Sequence, residues 1–508
     1  MPLLLPPPPP PFFGRPAAVG SVVSETLPIR VHWDEEGSRA RAEETLYWVE
    51  VAWEAQVDGL GFPPPVLPDG DDGGIDGPEF DVYLTGTLTP FEAWAWSDAY
   101  RDQVAGDGWM STYAYVAMSP NLPDDQLATY TVHEFNHVLQ HAIDYTETSY
   151  NFWEASATAA QHWTLGADGF WEEYAADFQA TPWLSAITGD GYWLYHHDDR
   201  WSYFEYGAAF WILHLDYVLG AGDGASLPAL WFAAAQEGLT TEPDVVDAVV
   251  EVSGLTLGAF MNTLARSRWL VGGEWDDRGV PGLDGWDVSY QVPLDGVIDA
   301  LPAEYDFAIP PHVLGQAFVE VPLDGAAGTV TVGVDSAGGR DSALMVLWWR
   351  ADGGVGEAGD EGATPSVSLD VEGLERLVLV VSNLGPTGFD GDDDPYRGGD
   401  QRLTVDLDPA VDDTEPVDTG GATDTGTTDG GDDGGTDGGA DGGADGDPDS
   451  GAGDTDGRAN GAASDGGEEG KGCGCAASSM SVSGWPALLL LSLALARRQR
   501  SRRRWSRL

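Results

Sequence analysis

The stretch TVHEFNHVLQHAID, residues 131–144, sets His133 and His137 four positions apart, with Glu134 beside the first. On a helix, positions four apart lie one turn from each other on the same face, so both imidazoles can reach one ion. Paired imidazoles suit a Zn2+ ion, and a carboxylate at the same opening can act as a general base. The chain holds only nine His. A chance His-Glu-x-x-His is therefore expected in about one such chain in a hundred, and the surroundings must decide between a metal site and two ordinary core histidines. Ala128, Val132, Phe135, Leu139 and Ala142 form an apolar stripe at steps of three and four. The histidines fall outside it, so the helix is expected to bury the stripe and turn them into a cleft.

A catalytic zinc usually takes three protein ligands and leaves one position open. An extended motif with Gly and a third His is absent, because position 140 is Gln and position 143 is Ile. His141 lies a further turn along, about 6 Å beyond His137 by helical rise, which suits a supporting or surface role better than ligation. Glu154, in NFWEASATAA, is the better third ligand. A short turn through YTETSYN lets its helix run back beside the first. Glu147 lies in that turn and is less well fixed.

The elements that must position these residues are legible in part. RAEETLYWVEVAWEAQV (41–57) has the spacing of an amphipathic helix. PEFDVYLTG (78–86) and STYAYVAMSP (111–120) read as strands, FWEASATAAQHWTL (152–165) and YGAAFWILHLDYVL (206–219) as helices, with more helices to about 270. From about 300 the texture changes. GQAFVEVPL, GTVTVGVD, SALMVLWWR, ERLVLVVSN and QRLTVDLD alternate between Gly- and Asp-rich turns, which predicts a β-sandwich over 303–408.

At 508 residues the chain is long enough for two or three units. Its net charge of -62 is concentrated: residues 411–470 carry eighteen Asp or Glu and one Arg, whereas the last twelve residues carry seven Arg. An acidic folded part repels phosphates, so no nucleic acid is expected as a partner. The only cysteines are Cys473 and Cys475, which excludes a disulfide scaffold or a Cys-ligated core site. Residues 409–472, rich in Asp, Gly and Thr with almost no large apolar side chain, are expected to form a disordered, solvated tether. Their Asp-Gly repeats leave Ca2+ as a weaker cofactor expectation, but they lack the ligand spacing of an EF-hand. The proline-rich start, 1–26, has no basic beginning and no helical apolar segment of a secretory signal. Near the other end, residues 476–496 are 21 uncharged residues followed by arginines. That is the length of a transmembrane helix with a cytoplasmic Arg tail.

HEFNHVLQ…FWEASAT resembles the HE-aromatic-x-H-x-x-Q…W-x-E-x-x-A-T texture of secreted bacterial gluzincins, zinc metallopeptidases with a His-Glu-x-x-His…Glu site. The resemblance covers roughly 27–300. It implies a zincin-like metallopeptidase domain over 27–302: a twisted sheet whose edge strand binds substrate, the active-site helix, then the third-ligand helix. On that reading Zn2+ is held by His133, His137 and Glu154, Glu134 is the general base, and STYAYVAMSP stands at the edge strand. A downstream Tyr or His would stabilise the oxyanion, Tyr206 first, with Tyr203 and His197 behind it; a packed tyrosine beside a helix start is the open alternative. One departure is Thr158, where thermolysin-like members carry an Asp that orients a histidine. The tail, Gly-Cys-Gly-Cys, an apolar segment and an arginine cluster over 473–508, resembles the myxobacterial sorting signal MYXO-CTERM. It implies surface display, a C-terminal processing and sorting machinery as partner, and cleavage near the cysteines.

The expected fold class is thus α+β: the zincin-like domain, an all-β sandwich, an acidic linker and a transmembrane segment. The expected activity is a cell-surface or secreted zinc endopeptidase acting on protein or peptide substrates. The alternatives are a catalytically inactive surface adhesion or binding protein of the same fold, and a motif that binds no metal.

Overall fold

The structure, a computed structural model, describes residues 15–67, 77–90, 92–97, 110–166, 171–189, 191, 194, 202–236, 242–336, 339–389 and 401–409, and the backbone of 473–476. It is a mixed α+β architecture. The first sheet contains β1 (Gly20–Val23), β2 (Ile29–Trp33), β3 (Phe80–Leu84), β4 (Glu92–Ser97) and β5 (Ala114–Met118). It also takes in β15 (Cys473–Ala476), in the order β1-β2-β3-β5-β4-β15. The β2–β3 and β3–β5 pairs are parallel, and the other three are antiparallel. A parallel β2–β3 pair needs a crossover, which α1 (Arg39–Trp53) supplies, extended by a π-helical stretch at Glu54–Leu60. That helix starts where Ser38 caps it by accepting from the Arg41 amide, and it stops at Gly61, whose φ of 92° favours glycine.

The strands β3, β4 and β5 are apolar on both faces because both faces are covered. Phe80, Val82, Leu84, Ala93, Ala95, Val116 and Met118 join the core under the helices. The alternate residues Tyr83, Trp94, Tyr115 and Ala117 form a second small cluster on the other side. Beyond them His32 meets Asp81 at 2.8 Å and stacks on Tyr83, and Arg15 ion-pairs with the same carboxylate.

On the helical side lie α2 (Asp124–His141) and α3 (Tyr150–Leu165), which pack against each other. The chain continues through α4 (Trp171–Ala180), α5 (Phe204–Gly207) and α6 (Ala209–His214), which runs on as a π-helical turn to Leu219. Then come α7 (Ser226–Ala234), α8 (Val245–Ser253) and α9 (Leu257–Trp269). The single helix expected over 206–219 is thus three short pieces.

The remainder is two facing sheets, β11-β10-β13-β8-β6 and β12-β9-β14-β7, with β6 at Gly296–Val297, β7 at Ala303–Asp306, β11 at Val355–Gly362 and β12 at Ser366–Asp370. Of these, β8 (Gln316–Pro322), β9 (Gly328–Ser336), β10 (Arg340–Arg350), β13 (Leu374–Pro386) and β14 (Gln401–Pro409) carry the alternating patterns seen in the sequence. In β13, Leu377, Leu379 and Val381 point into the core shared by the two sheets. Val378 and Val380 point the other way, onto Ala265, Trp269 and Leu270 at the end of α9. Burial on both faces explains why this strand reads LVLVV. The seam holds a fully buried Arg268, which donates to Gln179 Oε1 (3.0 Å), Gln316 Oε1 (3.2 Å) and the Phe178 carbonyl (2.8 Å).

Three features depart from expectation. The sheet begins at Gly20, inside the stretch read as a proline-rich lead-in. Residues 111–120 give β5, an interior strand between β3 and β4, so the edge position of the folded part belongs to β4. β6, β7, β11 and β12 add to the five strands read from the sequence. No single helix among the described residues is long and apolar enough to cross a membrane. The expected tether and transmembrane segment lie outside the described residues, apart from Pro409 and the backbone of 473–476.

Candidate metal centre

α2 begins at Pro123 with Asp124 and Asp125 in its first turn, where acidic side chains complement the helix dipole. From Thr131 to His141 every residue of it is buried. The expectation of one buried stripe and one open face therefore fails: α1, α3, β4 and β5 enclose the helix together. Phe135 meets Trp53 and Phe80 at ring distances of 6.0 and 5.7 Å, which locks the rotation of the helix about its axis. α3 is started by Ser149, whose hydroxyl accepts from the Phe152 amide, and this sets Glu154 in the first turns facing α2.

The result brings His133, His137 and Glu154 together, and these three side chains could hold a metal ion. His133 Nε2 lies 3.0 Å from Glu154 Oε2 and 3.1 Å from His137 Nε2, and His137 Nε2 lies 3.6 Å from the same oxygen. Ligand atoms at about 2.0–2.1 Å from a tetrahedral zinc are about 3.3 Å apart. The observed triangle straddles that value, so an ion fits without moving the helices.

Each imidazole is also held in the form a metal requires. His137 Nδ1 sits 2.7 Å from Gln140 Oε1, and His133 Nδ1 sits 3.1 Å from Gln161 Oε1. A glutamine oxygen can only accept, so each Nδ1 carries the proton and each Nε2 presents its lone pair inward. Gln140 cannot turn over, because its Nε2 donates to Asn136 Oδ1 (2.7 Å), Ser156 Oγ (2.8 Å) and the Trp153 carbonyl (3.1 Å). Asn136 in turn donates to Gln56 Oε1 (3.0 Å), tying the site to the end of the first crossover helix.

The electrostatics are those of a cation site. Burial opposes charge on Glu154, yet the His137 and His133 imidazoles outweigh it and hold the carboxyl below the usual range. Burial likewise opposes charge on His137, but Glu154 and then Glu134 raise its pKa. Both shifts point the same way: the cluster favours positive charge beside Glu154, which a metal ion could supply.

Glu134 is fully buried and close enough to His137 to influence it. The Tyr206 ring stacks on that of His133 at 5.7 Å, and Tyr203 stands 5.9 Å from Tyr206. His197 lies outside the described residues. His141 is left out of the ligand group: it packs against Trp153 at 4.8 Å, and burial pushes it down to about 3. Glu147 is buried but spends Oε1 on the Ser149 amide. Thr158 is buried, and its hydroxyl has no hydrogen-bond partner among the described residues, so it orients neither histidine. Gln140 and Gln161 do that work instead; Gln140 lies one turn after His137 on α2, and Gln161 reaches His133 from α3.

No protein-family model matches the chain, and no curated protein does. Among solved structures, parts of the chain are similar to the pre-peptidase C-terminal domain of a collagenase from Bacillus anthracis, at 13% identity and a TM-score of 0.16 over 22% of this chain and 96% of that one. Two others are the Yersinia pseudotuberculosis-derived mitogen YPM (15% identity, 23% of this chain and 94% of that one, TM-score 0.17) and the surface-associated copper-binding protein CorA of Methylomicrobium album BG8 (10%, 23% and 98%, 0.17). Likenesses this low carry no argument, and the chemistry of the centre rests on its own side chains.

Proposed function

We propose that the chain is a zinc-dependent endopeptidase of gluzincin type, with His133, His137 and Glu154 as ligands. The observation that carries the reading is the triangle of two Nε2 atoms and one carboxylate oxygen at 3.0–3.6 Å, with both Nδ1 positions capped by glutamine oxygens. When bound there, zinc supplies the Lewis acidity that brings a water towards ionisation near neutral pH. Glu134 accepts the proton of the attacking water and delivers it to the departing amine nitrogen. Tyr206, over the His133 ring, supplies a hydroxyl to the carbonyl oxygen as charge develops on it. The hydrogen-bonded array from Gln56 to His137 keeps the ligands from reorienting between turnovers.

The tail resemblance extends the proposal to a protein held at the cell envelope by its C-terminal segment and processed near Cys473 or Cys475. Glu134→Gln tests the reaction. The amide is nearly isosteric but is not a base, so metal content and fold should persist while peptide hydrolysis falls below detection. Substantial residual hydrolysis would show that another group activates the water.

A further inference from the structure

Strand β15, Cys473–Ala476, lies antiparallel on β4, the outermost strand of the folded sheet, and its backbone also approaches α2 and α3. The hydrogen-bond directions along β4 show what it offers there. The Glu92 carbonyl accepts from the Ser119 amide just past β5 (3.0 Å), while the Met118 carbonyl turns the other way to accept from Thr85 (2.9 Å). Met118 is the partner of Ala93 in the β4–β5 register, so that pair exchanges no hydrogen bonds. By alternation, the amides and carbonyls of Ala93 and Ala95 therefore face the open edge. The register of β15 sets Cys475 opposite Ala93 and Cys473 opposite Ala95. Its own backbone thus meets the two residues of β4 whose polar groups an incoming extended peptide would use.

We propose that this C-terminal strand is a built-in occupant of the peptide-binding edge, which competes with substrate for Ala93 and Ala95 of β4. The inference rests on the peptidase reading for its consequence, and on the sheet register alone for the pairing. Sixty-three residues join Pro409 to Cys473, and a tether of that order gives an effective concentration of about a millimolar. Against a strand affinity of roughly 0.1 mM, occupancy raises the apparent KM about tenfold and leaves kcat alone. Removal of the segment then switches the enzyme on.

The test uses the full chain with and without Cys475→Pro, which deletes the amide facing Ala93. A second variant ends the chain at Gly472. Peptide hydrolysis and amide hydrogen exchange are measured on all three. The expected result is a KM lower by about tenfold in both variants, an unchanged kcat, and faster exchange at Ala93 and Ala95. Equal exchange in all three proteins overturns the pairing, and faster exchange with an unchanged KM overturns the competition. If every form is inactive while exchange still rises in the variants, the occupancy stands and the peptidase reading falls.

Discussion

Replacing Gln140 by Leu should cost metal affinity without touching a ligand. The side chain is fully buried and serves two purposes: Oε1 takes the proton of His137 Nδ1 at 2.7 Å, and Nε2 satisfies three acceptors. Leucine removes the acceptor, so neither tautomer of His137 is favoured and the ring gains rotational freedom. Loss of such a support typically costs 10–100-fold in metal affinity, or about 1.4–2.8 kcal/mol. Asn136 Oδ1 loses its donor as well, while Ser156 Oγ and the Trp153 carbonyl each keep another, and folding stability should fall by about 1–3 kcal/mol. Gln140→Glu separates the two effects. It keeps an oxygen for Nδ1 and makes the imidazole a better ligand, but it loses the donor. Its zinc affinity should stay within a few-fold of wild type while its stability falls as in the leucine variant. Competition with a chromogenic chelator gives the affinities, and urea unfolding of the metal-free proteins gives the stabilities. Equal zinc affinity for wild type and Gln140→Leu would refute the claim that Gln140 sets the histidine tautomer.

Tyr206→Phe keeps the ring over His133 and removes only the hydroxyl; kcat should fall by about 10²-fold with metal content unchanged, and an unaltered kcat in steady-state assays would assign the oxyanion to another donor. His141→Ala should retain its zinc, because His141 stands outside the ligand group; loss of metal on elemental analysis would contradict that. His214 is buried, bonded to Thr263 at 3.1 Å and pushed down to about 3, so it is neutral in the fold and protonates only on unfolding below its usual 6.5. The stability it confers is complete above that pH and is lost as pH falls, by about 2 kcal/mol between pH 6.5 and 5. Urea titrations should therefore show a shallower loss over that window for His214→Gln; identical slopes would contradict the argument. Arg268→Ala strands three buried acceptors at the seam beneath the sandwich and should destabilise by about 3 kcal/mol in the same assay, whereas an unchanged midpoint would show that the seam tolerates the gap.

The parts of this protein that follow a period were legible in the sequence. His133 and His137 are one helical turn apart whatever packs around them, and Glu154 follows after a turn short enough to fold its helix back. Five strands of the sandwich announced themselves: β9 and β14 alternate because one face of each meets a core, and β8, β10 and β13 read as apolar runs because both faces are covered. What the sequence hid depends on neighbours distant along the chain. Gln140 and Gln161 look like ordinary polar residues of a helix surface until α2 and α3 are laid together, and only then do both become buried supports. β5 and β4 are each covered on two sides, so nothing in their residue pattern says which lies at the edge. β11, VGEAGDEG, carries almost no apolar signal and is held by its backbone pairing to β10. The glutamate–histidine cluster was found through spacing, but its depth was not, since burial of a whole helix is a property of everything around it.

The central claim is that His133, His137 and Glu154 form one zinc site, and metal stoichiometry tests it most directly. Zinc is counted by plasma mass spectrometry in purified wild type and Glu154→Ala, after dialysis against a weak chelator. Intact secondary structure in the variant is verified by circular dichroism. The account predicts one zinc per wild-type chain and less than a tenth of that in the variant. A folded wild-type chain without zinc, or a variant that keeps its full complement, would contradict it.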